Sequence, residues 1–194
     1  MTFARTISTS VIALLLIQCN PSVSDAFKTV DNSLKTSNTN LSSSLESLYS
    51  EIDSKRQKNP TLVLKADSVF YATEIACKFI DSIKLVMQSK DTSGTNLNVS
   101  TEILVNSQTG NILKEKLLAV YKYSYLSLIG NSKKGSLDSV LNPIGQLQYN
   151  DNWKRIYFEM APTVAAITIL SKFQNDCKNA VVISLRDIKE HLAN

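Results

Sequence analysis

The chain has 194 residues, 43% of them apolar and 20% charged, the balance of a packed globular domain. Five glycines and four prolines are too few for a sandwich that turns every ten residues, and they suit long helices. The net charge of +4 is spread along the chain, which excludes a nucleic-acid footprint.

The first segment, residues 1–19, differs from the rest. Arg5 is its only charge, and Val11 to Ile17 is a continuous apolar run. A basic start, a short apolar stretch and a cysteine at the exit read as an export signal. At 1.5 Å per residue, Phe3 to Ile17 would cover roughly 22 Å, short of a bilayer core of about 30 Å. Leu16-Ile17-Gln18-Cys19 is similar to a bacterial lipoprotein processing site, which makes Cys19 the candidate for lipidation, although Gln18 stands where that pattern prefers a small residue. The expectation is an exported chain on the periplasmic face of a membrane, lipid-anchored or held by one N-terminal span.

Residues 20–194 read as one all-α domain, an antiparallel bundle of about four long helices with short satellites. The first helix is expected from Val23 to Gln57, about 50 Å long. Its stripe is Val23, Phe27, Val30, Leu34, Leu41, Leu45, Leu48 and Ile52, steps of three, four and seven. Ser, Thr, Asn and Asp lie between, so the helix depends on packing rather than propensity. Asn59-Pro60 ends it and starts the next as cap and first helical residue. The second stripe runs Leu62, Ala66, Val69, Thr73, Ala76, Ile80, Ile83 and Met87, and the tight connection predicts an antiparallel hairpin.

Lys90 to Gly110 is a polar connection in which Thr101 to Val105 fits a short helix or an edge strand. A third helix is expected over Asn111 to Ile129, stopped by Gly130-Asn131. A short helix at Leu137 to Leu141 should end at Asn142-Pro143. Trp153, Tyr157 and Phe158 read as the cap of one end of the core, with an exposed recognition patch as the other reading. Ala161-Pro162 opens the last helix, Thr163 to about Leu192, which stacks Ala166, Leu170, Phe173, Cys177 and Ala180 and then shifts to Val181, Leu185, Ile188 and Leu192.

No constellation for catalysis emerges. His191 is the single histidine, so a site needing two is excluded. The carboxylates Glu102, Glu115, Asp138, Asp151 and Glu159 sit at unrelated places, the serines have no partnered base, and no glycine-rich phosphate loop exists. Cys19, Cys77 and Cys177 lack zinc-ligand spacing, so neither metal nor other cofactor is expected. With Cys19 lipidated, Cys77 and Cys177 remain, either as two buried thiols or as a disulfide. Lys55, Arg56 and Lys58 read as a helix-end charge cluster rather than a lipid contact. On the last helix Lys172 with Asp176, and Asn175 with Asn179, form i,i+4 polar pairs, either a wet face or a seam with a partner helix.

Those pairs lie in a recognisable stretch. Phe158-Glu159, Pro162, Leu170-Ser171-Lys172, Gln174-Asn175-Asp176 and Asn179-Ala180, with Trp153 upstream, resemble the end of the first periplasmic domain of the GldM/PorM family. Asp25-Ala26-Phe27-Lys28, Asn32-Ser33-Leu34 and Ser37-Asn38 are similar to its start. That family serves gliding motility and type IX secretion in Bacteroidetes-type bacteria. Its N-terminal transmembrane helix pairs with a GldL/PorL-type membrane protein in a proton-driven motor, and its dimeric periplasmic shaft carries motion to the outer-membrane ring. The resemblance implies an all-helical, non-enzymatic interaction or scaffold module of the envelope. It implies protein partners there, self-association as a dimer among them, and no nucleic acid. Ser171, Lys172, Asn175, Asp176 and Asn179 are its candidate partner-binding residues. Two features depart from the family: the basic stretch before the membrane segment is nearly absent, and the later β-rich domains have no counterpart in these 194 residues. The chain alone is therefore expected not to span from inner membrane to outer ring. The other reading is a stand-alone lipoprotein that binds a ligand or polymer and shares only the fold.

Overall fold

The computed structural model describes residues 21–193. Five helices carry the architecture: α1 (Pro21–Asp53), α2 (Pro60–Lys90), α4 (Thr109–Ser127), α5 (Lys134–Gly145) and α6 (Thr163–Ala193), with the single turn α3 (Leu97–Ser100) between α2 and α4. No strand is present among the described residues. The fold class is therefore all-α, as the 3.6-residue stripes require.

Side-chain pairs give the directions of the helices. Tyr49 stacks on Phe70 at 4.1 Å near the α1–α2 turn, so these two run antiparallel. Ser127 of α4 donates to the Lys65 carbonyl at 3.0 Å, while Lys116 lies over the Phe79 ring, which makes α4 antiparallel to α2. Tyr125 donates to Asp138, and Gly145 sits against the Tyr121 ring, so α5 brings the chain back along α4. Consecutive helices alternate, and α6 consequently runs parallel to α1 and α4.

Helix α6 is the axis of the fold. Ala165, Leu170, Cys177, Ala180, Leu185 and Ile188 are fully buried, and it packs on α1, α2, α4 and α5. Small residues on several sides let four neighbours approach it. Helix α1 packs chiefly on α6 and meets α2 mainly near the turn. The connection there is pinned by Arg56, which donates to both carboxylate oxygens of Asp67 at 2.9 Å and to Asp53 at 2.7 Å. The basic cluster thus spends its arginine on an internal fork, and that fork holds the Asp67 carboxyl below its usual range.

Several local expectations change. Thr101–Val105 is a π-helical turn that continues α3, not a strand. Its hydroxyl at Thr101 donates to the Glu159 carbonyl at 2.8 Å, which ties it to a second π-turn, Arg155–Glu159. Pro143 does not stop α5, which runs on to Gly145. Leu137, Leu141 and Ile144 are all fully buried on one face, and continuing that face through the proline offsets the lost backbone bond. Val30 is about half exposed, so it is not a member of the α1 stripe. Trp153 and Phe158 lie in the core with rings 6.1 Å apart edge to face, so the core-cap reading holds and the exposed patch does not.

The start of α6 is held by the loop that leaves α2. The Asp91 carboxylate accepts from the backbone N–H groups of Ser93 (3.0 Å), Gly94 (2.9 Å) and Asn96 (2.7 Å) and from the Ser93 hydroxyl (2.8 Å). Gly94, at φ 73°, supplies the left-handed residue the turn needs. The folded loop then serves α6: the Gly94 carbonyl accepts the Val164 N–H at 3.2 Å, and the Asn96 carbonyl accepts the Thr163 hydroxyl at 3.1 Å.

Candidate functional site: the polar seam of α1 and α6

Helix α1 meets α6 through side chains that repeat by four and three: Phe27, Asp31, Leu34, Asn38, Leu41, Leu45, Leu48 and Ile52. Asp31 and Asn38 are buried members of this otherwise apolar seam. Each finds a partner on α6. Asp31 accepts from the Ser171 hydroxyl at 2.8 Å and pairs with Lys35 at 2.7 Å on its exposed side. Asn38 donates to Gln174 at 3.3 Å. Next to them the Ser37 hydroxyl donates to Asn175 at 3.2 Å, and Lys178 donates to Ser42 at 2.7 Å and to the Asn38 carbonyl at 3.3 Å. Further along, Lys189 pairs with Glu51 at 2.5 Å. The pairing keeps nearly the same offset from Asp31 to Glu51, so the two helices lie side by side in one register.

Gln174 joins three helices. Besides accepting from Asn38, its amide donates to the Cys77 carbonyl at 3.3 Å and to Asp81 at 3.0 Å on α2. Lys84, also on α2, donates to its carbonyl oxygen at 3.4 Å. Buried polar groups of this kind contribute less to stability than apolar packing, but they penalise every other register. The Asn38 side-chain oxygen is buried without a partner among the described residues, which is a cost the seam carries.

The residues expected to bind a partner divide accordingly. Ser171 and Asn175 face α1 of the same chain: the helix they meet is internal. Lys172 is exposed and pairs with Asp176 at 2.7 Å. Burial beside Tyr157 raises the Asp176 carboxyl, and Lys172 only partly opposes this. Asn179 is half-buried. Lys172, Asp176 and Asn179 thus border the seam.

Asp31, Asn38, Gln174 and Lys178 are the seam residues that the sequence reading passed over. One signal was available. The seven-residue step from Leu34 to Leu41 skips a seam position, and Asn38 fills it.

Cys77 and Cys177 are free thiols, both buried, on facing helices α2 and α6. The expected alternative of a disulfide is not formed here; the two side chains instead act as small core residues. Burial pushes the Cys77 thiol up to about 11 and Cys177 well above its ordinary value. Alkylation of the native protein at pH 8 by iodoacetamide should therefore be slow at both and become fast in denaturant. Rapid native labelling of Cys77 would contradict the packing around it. Cys19 lies outside the described residues.

No cluster of His, Cys, Asp and Glu suited to a metal ion occurs among the described residues. No helix among them is long and apolar enough to cross a membrane. No curated protein matches the chain. The family model of the GldM N-terminal domain matches residues 23–190, which begins with α1 and ends near the close of α6. The matched span takes in both halves of the polar seam, and the chain belongs to the GldM N-terminal domain family.

Proposed function

We propose that the protein is a non-enzymatic scaffold module of the bacterial envelope that serves gliding motility or type IX secretion. Family membership over residues 23–190 carries this reading. The bundle suits the role physically. Its longest helix, α1, follows directly on the segment read as an anchor, and polar pairs fix α1 to the central helix α6 in one register. Force or position applied at the N-terminal end of α1 would pass to the whole bundle rather than be lost by slippage. Lys172, Asp176 and Asn179, at the border of the seam, are the residues of the original candidate set that remain open to a protein partner.

The test is recovery of the tagged chain from cross-linked membranes, with mass spectrometry of what accompanies it and of its own mature N-terminus. The proposal expects gliding or type IX secretion components in the eluate. It expects Asn179→Ala to reduce their yield severalfold while the circular dichroism melt is unchanged. An eluate free of those components would favour a stand-alone lipoprotein. A mature chain that starts at lipid-modified Cys19 would make the protein an anchored module; one that retains Met1 would make it a spanning one.

A further inference from the structure

Helices α2 and α4 share an outer surface that the rest of the described fold leaves open. On α2, Leu64, Ser68, Ile75, Ser82 and Val86 follow at steps of four and seven, and all are exposed. On α4, Ile112, Ala119 and Leu126 follow at steps of seven. Ile75 and Leu126 are 54% and 57% exposed, so apolar side chains of both helices face outward. Two contacts join the rows. The Ser127 hydroxyl donates to the Lys65 carbonyl at 3.0 Å, and Leu126 and Leu64 are the residues just before these two. The Lys116 ammonium lies 5.3 Å from the centre of the Phe79 ring. Ile75 and Ala119 stand about one helical turn from that pair on one side, and Ser82 and Ile112 about one turn on the other. The rows therefore run side by side with a groove between them, about 33 Å from Leu64 to Val86. Ala72 and Ala119, both half-buried, keep its floor low.

Ser68 and Ser82 do not make the groove polar. Their hydroxyls donate to the Leu64 carbonyl at 2.9 Å and the Phe79 carbonyl at 2.7 Å, so covering them would strand neither proton. The charge beside the groove is mostly positive. Helix α4 carries Lys114, Lys116 and Lys122 against one carboxylate, Glu115. Lys116 and Lys122 lie over the rings of Phe79 and Tyr123, and neither pairs with a carboxylate among the described residues. On α2, Glu74 and Lys78 offset one another at 3.1 Å. A second copy of this chain would bring the same excess of ammonium groups, whereas an acidic partner would neutralise it. A flat bilayer would touch the two ridges and leave the groove between them empty.

We infer that the groove between α2 and α4 receives an amphipathic helix of a different protein, apolar on one face and acidic along its edges. Apolar residues at spacings of three and four would fill the groove, and glutamate or aspartate beside them would meet Lys116 and Lys122. About 20 residues, or 30 Å of helix, match its length. This deepens the proposed scaffold role by giving the chemistry of what the module holds, and rests on that role only for its setting. A single helix covers less than the roughly 800 Å² per partner of a standard interface, so a dissociation constant of about 1 to 100 µM is expected.

Fluorescence anisotropy of two labelled helical peptides of about 20 residues, titrated with the purified full chain, reads this out. Both carry leucine at steps of three and four; one has glutamate and the other lysine at the positions beside it. The glutamate peptide should bind in the range above, and the lysine peptide about tenfold more weakly or worse. Ile75→Glu on α2 and Leu126→Glu on α4 change exposed residues and should leave the melt intact. Each should weaken binding of the glutamate peptide by about tenfold or more. Lys116→Glu combined with Lys122→Glu should reverse the preference between the peptides. Absence of binding, equal binding of the two peptides, or binding that either apolar-to-Glu variant leaves untouched overturns the inference. So does displacement of the peptide by phosphatidylglycerol vesicles, which would make the face a lipid surface. A dimer abolished by Ile75→Glu in sedimentation would give the face to a second copy and overturn it too. Peptide binding as expected, without secretion components in the eluate from cross-linked membranes, would sink the scaffold role and leave the groove standing. The reverse result would sink the groove alone.

Discussion

Asp91→Ala should lower stability by about 3 kcal/mol, which for a chain of this size corresponds to a fall in Tm of roughly 6 to 12 °C. The carboxylate accepts three backbone N–H groups and one hydroxyl at 2.7–3.0 Å. Removing it deprives these donors of the buried carboxylate around which an otherwise mostly exposed loop is folded, and hydrogen bonds to an ionised acceptor are the strong ones. The loop in turn supplies the carbonyl groups that receive Thr163 and Val164 at the start of α6, so the loss reaches the central helix. The same contacts set a pH dependence. Burial alone would raise the Asp91 carboxyl, but the nearby Thr163 hydroxyl and the hydrogen bonds from Ser93, Asn96 and Gly94 outweigh it and hold it low. Asp67, beside Arg56, is also held low. A carboxyl depressed in the folded state stabilises it above the unfolded value and ceases to do so as pH falls through the folded one. Stability should therefore be flat near neutrality and decline progressively below about pH 4, and the decline should be shallower in Asp91→Ala. Thermal melts at several pH values check both points. A variant that melts with the wild type would show that the loop does not hold α6.

Gln174→Ala should cost a similar amount, about 3 kcal/mol, but by a different route. Gln174 is 4% exposed and bonds to Asn38 on α1 and to the Cys77 carbonyl, Asp81 and Lys84 on α2. Alanine leaves the Asn38 amide and the Lys84 ammonium facing a small void between three helices. The loss should be uneven. Helix α1 is rich in weak helix formers and is held mainly by α6, so it should lose protection first. Hydrogen exchange read by mass spectrometry should show faster exchange across residues 25–45, with α4 and α5 little changed. Uniform acceleration over the whole chain would contradict the view that Gln174 keys α1 to the bundle.

These two residues also mark what the sequence does and does not disclose. The long helices were legible because burial repeats at helical spacing: Ala66, Val69, Thr73, Ala76, Ile80, Ile83 and Met87 all lie inside as expected. The Asn59-Pro60 break was legible because proline at the first helical position restricts the chain locally. What escaped was decided across space. Val30 is apolar and falls at helical spacing, yet Asp31 is buried in its place because Ser171 is there to satisfy it. Pro143 breaks a helix by local rules, but the buried face of Leu137, Leu141 and Ile144 carries α5 past it. The polar residues of α6 pointed to a seam with a partner helix; no one-dimensional pattern says that the partner of Ser171 and Asn175 is α1.

The central claim, that this chain is a working envelope module of gliding or type IX secretion, meets its most direct test in a strain from which it is deleted. Quantifying secreted proteins and colony spreading in that strain should show both reduced, and the intact chain supplied in trans should restore them. Unchanged secretion and spreading would contradict the claim.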